Sequence, residues 1–123
     1  MAGAVRQGSV WMASVPDANG HAKLRPVVVA TPDAEIILDS PIVVVAITTR
    51  LHEPLPRTHV ALPWSPRGHP ATGLWKPCAA VCTWLIELRP SDLQQQKGYL
   101  PGRTLVALLE RLRELHGDHD GAA

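Results

Sequence analysis

The sequence predicts an α+β fold that is mostly β, with five to seven short strands in a strongly bent antiparallel sheet or partial barrel and one helix across it. Three observations support this prediction. Short β-branched runs alternate with turns rich in Pro and Gly, helical periodicity occurs only near the C-terminal end, and 123 residues suffice for one hydrophobic core. We therefore expect a single domain over residues 1–116 and a flexible tail over residues 117–123.

The N-terminal half of the chain contains four predicted strands, each bounded by turn residues. These strands cover residues 8–15, 25–31, 35–38 and 42–47. The turns between them are clearly marked, since residues 16–20 read Pro-Asp-Ala-Asn-Gly and residues 39–41 read Asp-Ser-Pro. Because proline cannot donate a backbone hydrogen bond, Pro26 must lie at the start or the edge of its strand.

The C-terminal half begins with a proline-rich segment, residues 50–77, that contains one short predicted strand at residues 58–62. A buried strand follows over residues 79–88. Residues 89–93 are expected to form a turn with a short helical piece, and residues 97–100 a last brief strand.

A single helix is predicted over residues 103–116. Five leucines recur at helical spacing and form one stripe: Leu105, Leu108, Leu109, Leu112 and Leu115. The residues expected to face water are charged: Arg103, Glu110, Arg111, Arg113 and Glu114. We expect the helix to pack its leucines on the sheet.

The net charge of the chain is only +1, but basic residues are concentrated in one segment. Residues 50–76 contain four Lys or Arg side chains and three histidines, with Glu53 as the one acid, so a local basic face is expected. The longest apolar run, residues 41–47, is far shorter than the roughly 20 residues of a membrane helix, and the N-terminus has no hydrophobic signal region. A soluble, cytoplasmic protein is expected.

The two cysteines, Cys78 and Cys82, are expected to be reduced core residues. Four residues along one strand would separate them by about 13 Å, which is too far for a disulfide. No Cys/His cluster has the spacing of a zinc site, so no metal and no other cofactor is expected.

Two strand ends carry a polar group that is suited to binding phosphate. Residues 24–29 read Leu-Arg-Pro-Val-Val-Val, and Thr48 follows Arg25 by 23 residues at the end of Ala-Ile-Thr-Thr. With the preceding Gly-Ser-Val-Trp at residues 8–11 and the Gly-His turn at residues 20–21, this order resembles the MazF/PemK family of toxins. The resemblance covers roughly residues 6–115 and implies an SH3-like partial barrel, as in MazF and CcdB-like toxins.

The resemblance implies that Arg25 and Thr48 are the catalytic residues. Arginine binds phosphate oxygens through two N–H groups and remains protonated, so Arg25 suits the stabilisation of negative charge. The Thr48 hydroxyl can hold a phosphate oxygen in line. In isolation, Arg25 would be interpreted as a solvated charge at a strand end and Thr48 as a β-favouring edge residue. The ordered set of motifs is what favours the catalytic interpretation.

Two segments depart from the family pattern. Many members carry a glutamate and a glutamine between the turn glycine and the arginine, where this chain has Ala-Lys-Leu at residues 22–24. His21 is the candidate general base in their place, because imidazole can accept and donate protons near neutral pH; the alternative is a solvated turn histidine. Near the end of the strand where the family usually carries Gln-x-Arg, this chain has Cys-Thr-Trp-Leu-Ile at residues 82–86. Trp84 is expected to stack on a base or to belong to the core or a dimer interface.

The remaining candidates for RNA binding interleave basic and aromatic groups, as expected for contacts with unpaired bases. The full predicted set is Thr49, Arg50, His59, Trp64, Arg67, His69, Trp75 and Trp84. The resemblance implies a homodimeric, metal-independent endoribonuclease that cleaves single-stranded mRNA at specific sequences and leaves a 2′,3′-cyclic phosphate and a 5′-hydroxyl. It also implies inhibition by a cognate antitoxin.

Two other functions remain open at this stage. The departures would also fit a barrel that binds RNA or protein without cleaving. A gyrase poison of the CcdB type would share the barrel, but residues 116–118, His-Gly-Asp, do not match the C-terminal end that such a toxin requires. Cleavage of RNA would distinguish the endoribonuclease from the non-cleaving binding protein and from the gyrase poison.

Overall fold

The computed structural model describes residues 4–117, so the predicted tail lies outside the described residues except for Gly117. Six strands and one helix are present in this range. Their bounds are β1 Ser9–Pro16, β2 Ala22–Val29, β3 Ile42–Thr48, β4 His59–Ala61, β5 Ala79–Leu88, β6 Gln95–Tyr99 and α1 Gly102–His116. No helix within residues 4–117 is long and apolar enough to cross a membrane.

The six strands form one sheet in the order β4-β5-β3-β2-β1-β6, and every pairing is antiparallel. The sheet does not close, because β4 and β6 each pair with one strand only. The predicted fold class, a mostly β partial barrel with a C-terminal helix, is confirmed.

The two faces of the sheet bury separate apolar clusters, because successive side chains of a strand point to opposite faces. Val28 and Val45 lie in the cluster that α1 covers, while Val27 and Val44 lie in the cluster on the other face. The helix contributes the fully buried Leu108 to the first cluster and packs three half-buried leucines against it. These are Leu105, Leu112 and Leu115.

A large irregularity between β3 and β5 bends the sheet. Val45 pairs with Leu85, whereas Ile47 pairs with Ala80, so the residue between them on β3 opposes four residues of β5. Bulges increase local twist and re-aim side chains. Inside the bulge, the Cys82 carbonyl lies 2.6 Å from Nε2 of His116, which ties the end of α1 to the sheet.

Most predicted elements agree with the structure, including β5 to the residue, but the strand expected over residues 35–38 is wrong. That segment contains a short 3-10 helix, Asp33–Glu35, followed by turns. The Asp33 carboxylate accepts a hydrogen bond from the backbone N of Gln7 at 2.6 Å, a contact that no local pattern reports. Arg111, predicted to face water, is 32% exposed, and its guanidinium also donates to the carbonyl oxygens of Arg57 and His59, contacts that the helical pattern does not predict.

Candidate functional site

Arg25 and Thr48 are brought to neighbouring strands by the pairing of β2 with β3. The last recorded pair of these strands is Val27 with Ala46. Continuing the same register by two residues sets Arg25 opposite Thr48, on one face of the sheet. Opposed residues in antiparallel strands have Cα atoms about 4.5 to 5.5 Å apart. The two side chains therefore converge at the point where β2 and β3 stop pairing.

The guanidinium of Arg25 is oriented by an aromatic ring. Its Cζ lies 5.2 Å from the ring centroid of Trp84, within the range of a cation–π contact. Within residues 4–117, the Nε of Arg25 is buried without a hydrogen-bond partner. The two ion pairs in this range both involve Glu114 and do not include Arg25. Its charge is therefore not neutralised by a carboxylate of the described chain.

The hydroxyl of Thr48 has one fixed interaction. Its Oγ1 accepts a hydrogen bond of 3.1 Å from the backbone N of Arg50. Because a hydroxyl also has a proton to donate, Thr48 remains able to hydrogen-bond an incoming oxygen atom. The same bond turns the chain after β3, so that Thr49 and Arg50 are exposed at the strand end.

A pocket of about 340 Å³ lies beside Arg25. Its lining includes three predicted site residues, Arg25, Thr49 and Trp75. It also includes four polar residues that the sequence analysis did not identify: Lys23, Lys76, Gln95 and Lys97. Lys76 belongs to the basic segment 50–76, and Lys23 is two residues from Arg25, so the sequence holds a signal for both. No sequence signal connects Gln95 or Lys97 to this site.

The loop that carries Trp75 is held against β6 by close backbone contacts. A Cβ atom on Gly98 would overlap the carbonyl oxygen of Ala71, and one on Gly73 would overlap the carbonyl oxygen of Lys97. Gly73 also has a φ of +71°, a conformation that residues with a side chain rarely adopt. The backbone N of Tyr99 donates to the Ala71 carbonyl at 2.9 Å. These contacts hold the loop that carries Trp75 and Lys76 against β6, which carries Lys97.

The predicted histidines are not gathered at Arg25. His21 is exposed at the end of the β1–β2 turn, four residues from Arg25, or about 13 Å along an extended chain. His59 begins β4 and is separated from β2 by two strands. Burial, with a smaller contribution from the neighbouring His52, lowers the pKa of His59 below 6.5, so its imidazole is neutral at pH 7.

The other predicted loop residues lie outside the pocket. The Nδ1 of His69 accepts hydrogen bonds from the backbone N atoms of Ala71 and Thr72 at 3.1 and 3.3 Å. This nitrogen therefore stabilises the loop that carries His69. Trp64 and Arg67 are exposed on the same loop. Both side chains can contact a ligand that extends beyond the pocket along this loop.

The two thiols are buried and unpaired, as expected for reduced core residues. Burial raises the pKa of both Cys78 and Cys82 to about 11. Both thiols are therefore protonated at neutral pH and unsuited to nucleophilic attack. Within the described range, no three His, Cys, Asp or Glu side chains are grouped to hold a metal ion.

Comparison with known families gives one match that covers most of the chain. Residues 6–116 match the model of the PemK-like, MazF-like toxins of type II toxin–antitoxin systems. No curated protein matches the sequence.

Several solved structures share the fold. MazF from Deinococcus radiodurans superposes with a TM-score of 0.69 at 20% identity, covering 94% of this chain and 97% of that chain. The toxin MazF-mt6 from Mycobacterium tuberculosis has a TM-score of 0.67 at 24% identity, covering 86% and 93%. A mycobacterial endoribonuclease in complex with its cognate antitoxin has a TM-score of 0.69 at 19% identity, covering 93% and 96%.

Proposed function

Because the chain belongs to the family of PemK-like, MazF-like toxins of type II toxin–antitoxin systems, we propose that it is an endoribonuclease. Its substrate is single-stranded mRNA, which it cleaves at specific sequences without a metal ion. The observation that carries this proposal is the register of β2 and β3, which directs Arg25 and Thr48 to one point on the face of the sheet where Trp84 contacts Arg25. The fold shared with an endoribonuclease from a mycobacterial species supports it.

In the proposed reaction, the 2′-oxygen of one ribose attacks the adjacent phosphorus and loses its proton to a base. The bond from phosphorus to the 5′-oxygen breaks, and that oxygen takes a proton from solvent water, so the products are a 2′,3′-cyclic phosphate and a 5′-hydroxyl. Arg25 binds the non-bridging oxygens, where negative charge increases in the transition state. Thr48 donates a hydrogen bond to one of these oxygens and keeps the phosphate in line.

His21 is the proposed proton acceptor. It lies at the end of the β1–β2 turn, about 13 Å along the extended chain from Arg25. By strand alternation the two side chains belong to one face, so the attacking ribose would lie between them. A neutral imidazole is the form that accepts a proton.

The proposed RNA path passes from Arg25 along the exposed strand end and the proline-rich loop. Thr49 and Trp75 are supported best, because both line the pocket beside Arg25. The ring of Trp84 contacts the guanidinium of Arg25 and so orients it. The remaining residues proposed for this path are Arg50, His59, Trp64, Arg67 and His69.

We also propose that the partial barrel is a single domain, residues 1–116, that acts as a homodimer in the cytoplasm and is inhibited by a cognate antitoxin. The mycobacterial endoribonuclease that shares this fold is in complex with its cognate antitoxin. That likeness supports a protein inhibitor of this chain.

Cleavage of a long single-stranded RNA in EDTA tests the proposed function. The wild type should cut at short recurring sites, and Arg25→Ala and Thr48→Ala should each slow cutting by about 100-fold or more, as expected when a transition-state hydrogen bond is removed. Arg103→Ala, an exposed change on α1, is the matched control. RNA that stays intact with a folded wild type would instead support a barrel that binds without cleaving.

A further inference from the structure

The bulge between β3 and β5 determines which face of the sheet Trp84 occupies. Before the bulge, Cys82 lies in the apolar cluster that α1 covers, whereas Trp84 lies in the cluster on the other face. Side chains two residues apart in a regular strand share a face. Across the bulge, β5 advances from residue 80 to residue 85 while β3 advances only from residue 45 to residue 47. The excess on β5 is an odd number of residues, so the faces are reversed and Trp84 points towards Arg25.

The bulge is held at Cys82 by elements other than β3. The pairs between β3 and β5 pass from Ala80 directly to Leu85, so the β3 ladder does not fix the residues between them. The backbone N of Cys82 donates to the carbonyl oxygen of Thr58 at 2.8 Å. Its carbonyl oxygen lies 2.6 Å from Nε2 of His116, which is the donor because a carbonyl oxygen can only accept. One of the two bonds that fix the bulge therefore comes from α1.

The end of α1 is itself anchored, so His116 has a fixed position. Leu112 and Leu115 pack against the apolar cluster under the helix. The backbone N of Gly117 donates to the carbonyl oxygen of Arg113 at 2.8 Å and completes the last turn. His116 thus reaches the bulge from a rigid support on the face of the sheet opposite to Trp84.

We propose that His116 is a positioning residue for Arg25, and that it acts through the bulge and Trp84. Without the bond from His116, the carbonyl group of Cys82 and the two residues after it lose one of their fixed points. The ring of Trp84 then no longer stays at 5.2 Å from the Cζ of Arg25. This inference rests on the proposed function, because it takes Arg25 to bind the reacting phosphate.

The Nε–H group of Arg25 reports this coupling in the absence of any reaction. Because the group is buried, its proton should exchange slowly with water and give a resonance in a two-dimensional nitrogen–proton NMR spectrum. The neighbouring indole ring shifts this resonance, and Trp84→Leu identifies it. His116→Met removes the donor and should move the resonance towards its position in Trp84→Leu.

Two further variants separate the hydrogen bond from a general effect of changing the helix end. His116→Gln has nearly the shape of His116→Met but supplies an N–H group that can reach the carbonyl oxygen of Cys82, so it should restore the wild-type resonance. Arg113→Met changes an exposed side chain in the same helical turn and should leave the resonance unmoved.

The rate of single-turnover cleavage at saturating RNA gives a second measurement. His116→Met should slow this rate about 3- to 30-fold, the range expected when the contact between Trp84 and Arg25 is lost. His116→Gln should recover most of the rate. The double variant, His116→Met with Trp84→Leu, should be no slower than Trp84→Leu alone, because both changes remove the same contact.

Three results would overturn the role of His116. They are an Arg25 resonance that His116→Met does not move, equal effects of His116→Met and His116→Gln, and a rate that His116→Met leaves unchanged. Failure of the proposed function would look different. A wild type that cuts no RNA, combined with a resonance that His116→Met still moves, would end the endoribonuclease proposal and leave the link from His116 to Arg25 standing.

Discussion

At Arg25, the guanidinium is positioned by the ring of Trp84 rather than by a carboxylate. An ion pair would neutralise the charge that the proposed reaction needs, whereas an aromatic face orients the group and leaves its N–H edges available. This arrangement also explains the half-buried Trp84, which the sequence analysis could assign only to base stacking, the core or a dimer interface. The ring packs against the second apolar cluster and faces Arg25.

Replacing Trp84 tests this positioning role. Trp84→Leu should lower the single-turnover cleavage rate about 3- to 30-fold, which corresponds to a cation–π contact of about 0.5 to 2 kcal/mol. Trp84→Phe retains a ring and should recover most of the rate. Both rates are measured at saturating RNA, so that a binding defect does not contribute. Equal loss in the two variants would mean that Trp84 acts through packing alone.

At the scale of elements, the site depends on contacts between segments that are distant in sequence. The β5 strand and the helix are predictable because their patterns are local: an apolar run and a leucine stripe. The spacing of Arg25 and Thr48 is visible in the sequence, but their juxtaposition follows from the register of β2 and β3. The pocket cannot be predicted from the sequence, because Lys76 and Lys97 are brought to it by the packing of a loop on β6.

The close approach of the loop containing Ala71 and Thr72 to β6 predicts that a substitution at Gly98 strongly lowers the stability of the protein. Gly98→Ala should lower the free energy of unfolding by about 1 to 3 kcal/mol or more, because the added Cβ meets backbone atoms of Ala71 and Thr72. Gly102→Ala is the matched control, since no atom lies within 4 Å of the added Cβ and alanine favours a helix. Urea unfolding measures both. Equal stability of the two variants would contradict the packing described here.

At the scale of the whole molecule, a nearly neutral chain brings three lysines, Lys23, Lys76 and Lys97, to one open pocket beside Arg25. The bent, unclosed sheet makes this possible, because β3 ends beside β2 while the long loop after β4 returns to β6 at the far edge. The proposed RNA strand would then contact Arg25, Thr48 and the lysines in sequence. Its attraction to this surface should weaken as salt rises.

The central claim is that Arg25 and Thr48 act together on one phosphate. A double-mutant cycle on the single-turnover cleavage rate in EDTA tests it most directly, with Arg25→Ala, Thr48→Ala and the double variant. Residues that act as a unit are non-additive, so the double variant should be little slower than the slower single variant. Two losses that simply multiply would show that the residues act independently, and would contradict the account.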